Sequence, residues 1–299
     1  SIFVFGHNYL FVPISEYIIF ALPIIPGYYF PGSFNSGSPD IIPRVRTGNR
    51  KEAKPSNNMI EKIEEFVYKE KSAIEYFSFG FLASVIAYLS SLIIPNTGIL
   101  FSIFTAMFCY PLVYGVMKRE ASKSEYSFYW EYFYKLPFIE RHKRILEMLL
   151  FLTLGISFGT SMLYLIAPNS ERMFLDQYNT IYALRSEVSL VAGSFINKNV
   201  FYTIFFSNVR VLVIFYIFSL LYGVGSLFLL TWQGTVLGVA AGLEAKKLQG
   251  VLSLPFTFLY YLPWGLLEFF AYICTSVGGC LLYIAIARHK GEKYMWYNL

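Results

Sequence analysis

The sequence predicts an all-α fold: a multi-pass transmembrane helical bundle of about six spanning helices. Three observations carry this. Hydrophobic residues make up 56% of the 299-residue chain and charged residues only 14%, where a soluble domain carries about 25% charged residues. Apolar stretches near the ~20 residues needed to cross hydrocarbon recur along the chain. Clusters of Lys and Arg alternate with connections almost free of them, the asymmetry that sets orientation in a membrane.

Residues 1–58 are set apart from the rest. The first thirty are aromatic and apolar but carry Pro13, Pro23 and Pro26, and proline inside a helix costs about 3 kcal/mol or more. They read neither as a signal peptide nor as a clean span, and a short interfacial helix is expected over Ile14–Leu22. Gly32–Asn58 reads as a basic linker. Met59–Lys71 places Ile60, Ile63, Phe66 and Val67 at helical spacing among charges, an amphipathic helix leading into the membrane. The transmembrane domain is expected over residues 59–291, with 292–299 a short tail.

The expected spans follow in order. Ile74–Ile94 is closed by the Pro95–Gly98 turn, and Ile99–Met117 returns to complete a helical hairpin. Ile145–Ala167 ends at Pro168. Val209–Trp232 is the fourth. Gly234–Leu243 is too short to cross and reads as a re-entrant or interfacial helix. Val251–Phe270 is a fifth span, interrupted by Pro255, Pro263 and Gly265, and Tyr272–Ala287 is the last. Basic residues before Ile74, in Lys118–Arg144, at Lys246–Lys247 and in Arg288–Lys293 place these segments and the C-terminus on the cytoplasmic side. Pro168–Asn208, poor in basic residues, falls outside. Within it Phe174, Leu175, Tyr178, Ile181, Tyr182 and Leu184 recur at helical spacing, so an amphipathic extracytoplasmic helix is expected, with a second over Val188–Phe195. The inner loop Tyr126–Tyr134 is densely aromatic and suits headgroup depth or a docking surface.

Some residues ask for more than lipid solubility. Gly234, Gly238 and Gly242 form a stripe four residues apart, echoed by Gly155 and Gly159. Small residues let membrane helices approach closely; such a seam also suits a path or a dimer contact. Gly223 sits in a flexible Gly-Val-Gly late in the fourth span. Arg210 and Glu268 are charges in apolar segments, and an ionisable group at depth is a functional candidate by default. The two are expected to pair.

Catalytic and ligand signals are absent. His7, His142 and His289 lie in different segments, and Cys109, Cys274 and Cys280 are spaced as small core residues. No metal-protease, nucleophile-elbow or phosphate-loop motif occurs. No cofactor, metal or nucleic acid is expected, and the chain is expected not to be an enzyme.

From Phe206 onward, "FFSNVRVLVIFYIFSLLYGVGSLFLLTWQGTVLGVAAG" and "LPWGLLEFFAYICTSVGGCLLYIAIARHKG" resemble the stage II sporulation protein M (SpoIIM-like) family, its archaeal branch in particular. Asn208, Arg210, Gly223, Gln233, Gly234, Gly238 and the Gly265-x-x-Glu268 element carry the likeness, which extends back through "FLTLGISFGTSMLYLIAP" to the hairpin. Family members usually show His-Gly-x-x-Glu where this chain has Trp264, and Asn-Gly where it has Gln233. The loss of the imidazole with Gly265 and Glu268 kept points to a structural element. The resemblance implies a non-catalytic membrane component that works through partners, as the namesake assembles with a cell-wall hydrolase and a second membrane partner. The leading expectation is a scaffold or assembly subunit of the cell membrane that docks lipid or other membrane proteins through Ser170–Tyr202 and Tyr126–Tyr134 and self-associates as a homodimer. A transporter or channel with a path near Glu268 is the other expectation.

Overall fold

A computed structural model describes residues 71–93, 98–125, 137–182 and 198–289. All regular structure among them is helical. The expectations for residues 1–58, for Met59–Glu70, Tyr126–Tyr134 and Val188–Phe195 lie outside the described residues.

The first helix, α1 (Ala73–Ser91), starts where a capping box closes its first turn. The Ser72 side chain accepts from the Glu75 amide, and the Glu75 carboxylate accepts from the Ser72 amide at 2.6 Å. Two otherwise orphaned donors are thereby satisfied. Helix α2 (Gly98–Glu125) returns beside it with Pro111 inside. After the short α3 (Phe138–Arg141), α4 (Lys143–Ile166) crosses again. One turn, α5 (Ser170–Met173), and a helical stretch α6 (175–182) follow. The chain closes with α7 (Lys198–Tyr222), α8 (Ser226–Lys247), a 3-10 turn at Gly250–Ser253 and α9 (Leu254–His289).

Five of these helices are long and apolar enough to cross a membrane: Ala73–Ser91, Gly98–Glu120, Lys143–Ile166, Ser226–Lys247 and Gly265–Ile284. Asn208–Tyr222 and Gly250–Tyr261 are shorter apolar helices. Helix α8 is the centre: 89% of its apolar window is buried, against 33% for α1. A helix apolar all round belongs inside, and α8 packs on α2, α4 and α9.

Close contacts fix the directions. Phe77 meets Gly155 and Ser84 meets Gly159, so α1 and α4 run parallel. Gly234 meets Thr153, Gly238 meets Ser157 and Gly242 meets Tyr164, so α4 and α8 are parallel too. Phe258 packs on Phe158, while Gly265 and Phe269 lie beside Leu150 and Thr153, so α9 runs back against them. Phe215 stacks on Tyr272 and Ser219 meets Gly279, so α7 descends alongside α9. The start of α1 and the end of α9 therefore share the Lys143 end of the bundle.

The segmentation differs from the sequence-based expectation in three places. The expected fourth span breaks at Gly223–Gly225, because Gly223 adopts φ +61°, a left-handed conformation that costs other residues about 1–2 kcal/mol. Gly234–Leu243 is not a re-entrant element but the interior of the 22-residue α8. The fifth and sixth spans are one continuous 36-residue helix. Pro255 sits in its first turn, where the missing N–H has no partner to lose, and the helix carries through Pro263, whose exposed ring points off the packed face. One break gained and one lost leave the end of α9 at the Lys143 end of the bundle.

The relative placement of Lys246 is also corrected. Its Nζ lies 2.6 Å from the Glu171 carboxylate, so Lys246–Lys247 share an end with Pro168 and cannot face the opposite side. Parallel α4 and α8 require this, and Glu171 and Glu244 partner the two lysines at 2.6 and 3.1 Å.

Candidate functional site

The glycine stripe is a helix seam. A Cβ on Gly238 would lie 2.6 Å from the Ser157 carbonyl oxygen, and one on Gly242 2.9 Å from the Tyr164 ring. Gly234 is looser, 3.2 Å from Thr153. Ser161 Oγ donates to the Gly238 carbonyl at 2.6 Å across the same seam. On the other face of α4, a Cβ at Gly155 would stand 2.0 Å from the Phe77 carbonyl oxygen. Helix α4 is thus clasped between α1 and α8 with backbones in direct contact.

A second buried cluster joins α6 to the core, and sequence reasoning missed it. Gln177 is fully buried. Its Nε2 donates to the Gly98 carbonyl at 2.8 Å and approaches Ser102 and Thr235 Oγ at 3.3 Å each. Ser102 and Thr235 are 3.0 Å apart. Asp176 accepts from the Ile99 amide at 3.3 Å, capping the start of α2. Net negative charge and acceptors suit a helix N-terminus. The buried stripe of this segment is Met173, Phe174, Gln177, Thr180 and Ile181, whereas Leu175, Tyr178 and Tyr182 are exposed. Of the expected apolar face, Phe174 and Ile181 point inward and those three do not, while Leu184 lies outside the described residues. A buried glutamine carries no hydrophobic signal, so the pattern alone could not find it.

At the Lys143 end, His142 Nδ1 lies 3.3 Å from Glu120 Oε1, both side chains buried. The His142 carbonyl accepts from the Ile145 and Leu146 amides, so the residue also starts α4. The two are 22 residues apart, a separation no local spacing reveals.

Glu268 and Arg210 are not an ion pair. Glu268 is half-buried, and its carboxylate accepts from Tyr272 Oη, one turn along α9, at 2.5 Å. The parallel register of α7 and α9 puts Arg210 near the same level, but on the face of α7 away from Val211, Phe215 and Ser219, the residues that pack. Asn208 lies on that packed face, half-buried, with Oδ1 enclosed and without a hydrogen-bond partner. Gly265 is buried against α4, and a Cβ there would meet no atom within 4 Å. Beside it runs a small crevice lined by Leu150, Leu154, Leu237, Phe258 and Phe269 with Thr153 and Ser157; Glu268 is not among its lining residues. Gly223 sits at the α7–α8 turn under the Tyr283 ring.

The family model for SpoIIM, stage II sporulation protein M, matches residues 148–298. The chain belongs to the SpoIIM family. The match spans α4 from Met148, the α5–α6 connection and α7 to α9, and so holds Asn208, Arg210, Gly223, Gly234, Gly238, Gly242, Gly265 and Glu268. It covers half of the chain, less than the sequence resemblance, which ran back into the α1–α2 hairpin, and it singles out no branch of SpoIIM proteins. No curated protein and no solved structure matches. In SpoIIM terms, the seam formed by α4 and α8 lies inside the matched region, and the α1–α2 hairpin that clasps it lies outside.

Proposed function

We propose that this SpoIIM-family protein is a non-catalytic scaffold or assembly subunit of the cell membrane, acting through partner proteins and self-associating as a homodimer. The observation that carries the reading is the clasp on α4. Backbone-to-backbone contacts through Gly155 and Gly238 favour a fixed core over one that opens and shuts, because interiors packed this closely transmit strain and do not deform smoothly. A rigid core presenting lateral faces suits assembly.

We assign the Lys143 end, with the start of α1 and the end of α9, to the cytoplasm. The Lys118–Arg144 segment holds Lys118, Arg119, Lys123, Lys135, Arg141, Lys143 and Arg144, and loops of that kind stay inside. Lys246 and Lys247 at the other end oppose the rule but are matched by Glu171 and Glu244.

The test is purification in a mild detergent followed by native mass measurement. A mass above the monomer with stoichiometric companions is expected. A lone monomer that moves solute across vesicles would replace the scaffold with a transporter.

A further inference from the structure

We propose that the α5–α6 segment is re-entrant: it descends from the Lys246 end to the middle of the bilayer and lines a water-filled recess there. Such a recess is independent of the scaffold reading and compatible with it.

Three contacts along α8 trace the descent. The Glu171 carboxylate meets Lys246 Nζ at 2.6 Å. Phe174 packs on the Tyr164 ring, centroids 6.3 Å apart, and Tyr164 lies against Gly242. Gln177 Nε2 reaches Thr235 Oγ1 at 3.3 Å. As the chain advances from Glu171 to Gln177 it moves from Lys246 back to Thr235, about 16 Å along the α8 axis at 1.5 Å per residue. Helix α8 has 22 residues, about 33 Å, which matches a hydrocarbon core about 30 Å thick. Thr235 lies near the midpoint of α8, so the Gln177 amide and the residues that follow it reach mid-depth.

The outward face of α6 does not suit lipid. Asn179 is exposed and Asp176 half-buried. Tyr178 and Tyr182, stacked with ring centroids 6.4 Å apart, are 39% and 66% exposed. Polar side chains turned to hydrocarbon lose their hydrogen bonds to water and gain none in return. At membrane depth such groups are kept where protein buries them or water reaches them. Exposure rules out the first for Asn179. On the inner face, Gln177 is fully buried and its Oε1 is enclosed without a hydrogen-bond partner. Buried acceptors are satisfied by protein or by ordered water, and a recess beside α6 brings water to this depth. The rim is charged: Glu171, Arg172, Lys246 and Lys247 are all exposed, so the recess opens at the Lys246 end.

The full chain, with its three cysteines replaced, is reconstituted in sealed vesicles as Asn179→Cys, Glu171→Cys or Leu82→Cys. Leu82 is the lipid-facing reference, 56% exposed on α1. A small impermeant thiol reagent is expected to modify Asn179→Cys about ten-fold faster than Leu82→Cys, because only the thiolate reacts and apolar surroundings suppress it. The reaction is expected from the side that reaches Glu171→Cys. A polyethylene-glycol maleimide is expected to modify Glu171→Cys but not Asn179→Cys, which lies below the rim. Modification of Asn179→Cys no faster than Leu82→Cys places α6 against lipid and overturns the recess. Equal modification of Asn179→Cys and Glu171→Cys by the bulky reagent places α6 on the surface and overturns the descent. Reaction of Asn179→Cys from the Lys143 side overturns both. Each variant is first matched to the parent by thermal unfolding, and Tyr182→Cys carries the same test where Asn179→Cys fails that match.

Discussion

The Ser161 hydroxyl donates to the backbone carbonyl of Gly238 at 2.6 Å. A side chain reaching a neighbouring helix's backbone at that distance requires the two axes to lie very close, and Gly238 is what permits it. Gly238→Val therefore drives the new side chain into the Ser157 carbonyl, 2.6 Å from the first added carbon. Overpacking of this kind costs about 1–3 kcal/mol. Thermal unfolding in detergent should show that loss, whereas Gly278→Ala, with open space around it, should melt like the parent.

The turn at Gly223 offers a different test. Its φ of +61° opposes a side chain, and so does the Tyr283 ring, which would stand 2.9 Å from a Cβ at this position. Gly223→Ala is expected to cost about 1–2 kcal/mol from backbone conformation alone. Tyr283→Ala in the same background should recover none of that part, so a full rescue would show that crowding rather than backbone geometry governs the turn.

Gln177 holds the α6 segment to the core through three contacts of its amide nitrogen. Gln177→Leu fills the space but removes the bond to the Gly98 carbonyl, which keeps the Ser102 hydroxyl as a donor at 3.1 Å, and a lost intramolecular hydrogen bond costs about 0.5–1.5 kcal/mol. Hydrogen exchange over 170–182 should quicken before the spanning helices respond. Uniform loosening of the whole bundle would contradict a local anchoring role.

The Lys246–Glu171 pair makes a topological prediction. In a cysteine-free background, Glu171→Cys and Lys246→Cys should react with an impermeant thiol reagent from the same side of sealed vesicles. Lys143→Cys should react from the other. Hydrogen bonding to Lys246 holds the Glu171 carboxyl below its ordinary value. A depressed acid stabilises the fold above its unfolded pKa and loses that contribution as pH falls through the lower folded value. Both groups are exposed, so the acid-side effect should be small and should fade with salt.

Much of this was legible in the sequence. The α1–α2 hairpin, α4 and the glycine contacts follow from apolar length and small-residue spacing alone. The later helices were harder because proline and glycine carry two meanings. Pro263 reads as a break, yet a membrane helix absorbs it. Gly223 reads as flexibility, yet its backbone angle ends a helix. Gly234–Leu243 looks too short only when Ser226–Gln233 is assigned to the helix before it. The pairs Gln177–Thr235 and His142–Glu120 join residues 58 and 22 apart, and no periodicity announces a polar contact of that range. The lack of an Arg210–Glu268 pair is likewise a matter of helix rotation, which composition does not encode.

The helix at the centre of the bundle is synthesised after α1, α2 and α4. While the ribosome is still short of Ser226, α2 and α4 are in place with the surface meant for α8 turned toward lipid. Helix α8 is no more apolar than α1 and brings Thr231, Gln233, Thr235 and two lysines with it. Its entry into the bilayer should therefore depend on α2 and α4 waiting with a fitted slot, so that a nascent chain lacking α4 would release α8 to the aqueous side. Biogenesis, more than equilibrium stability, is where damage to the seam would first be felt.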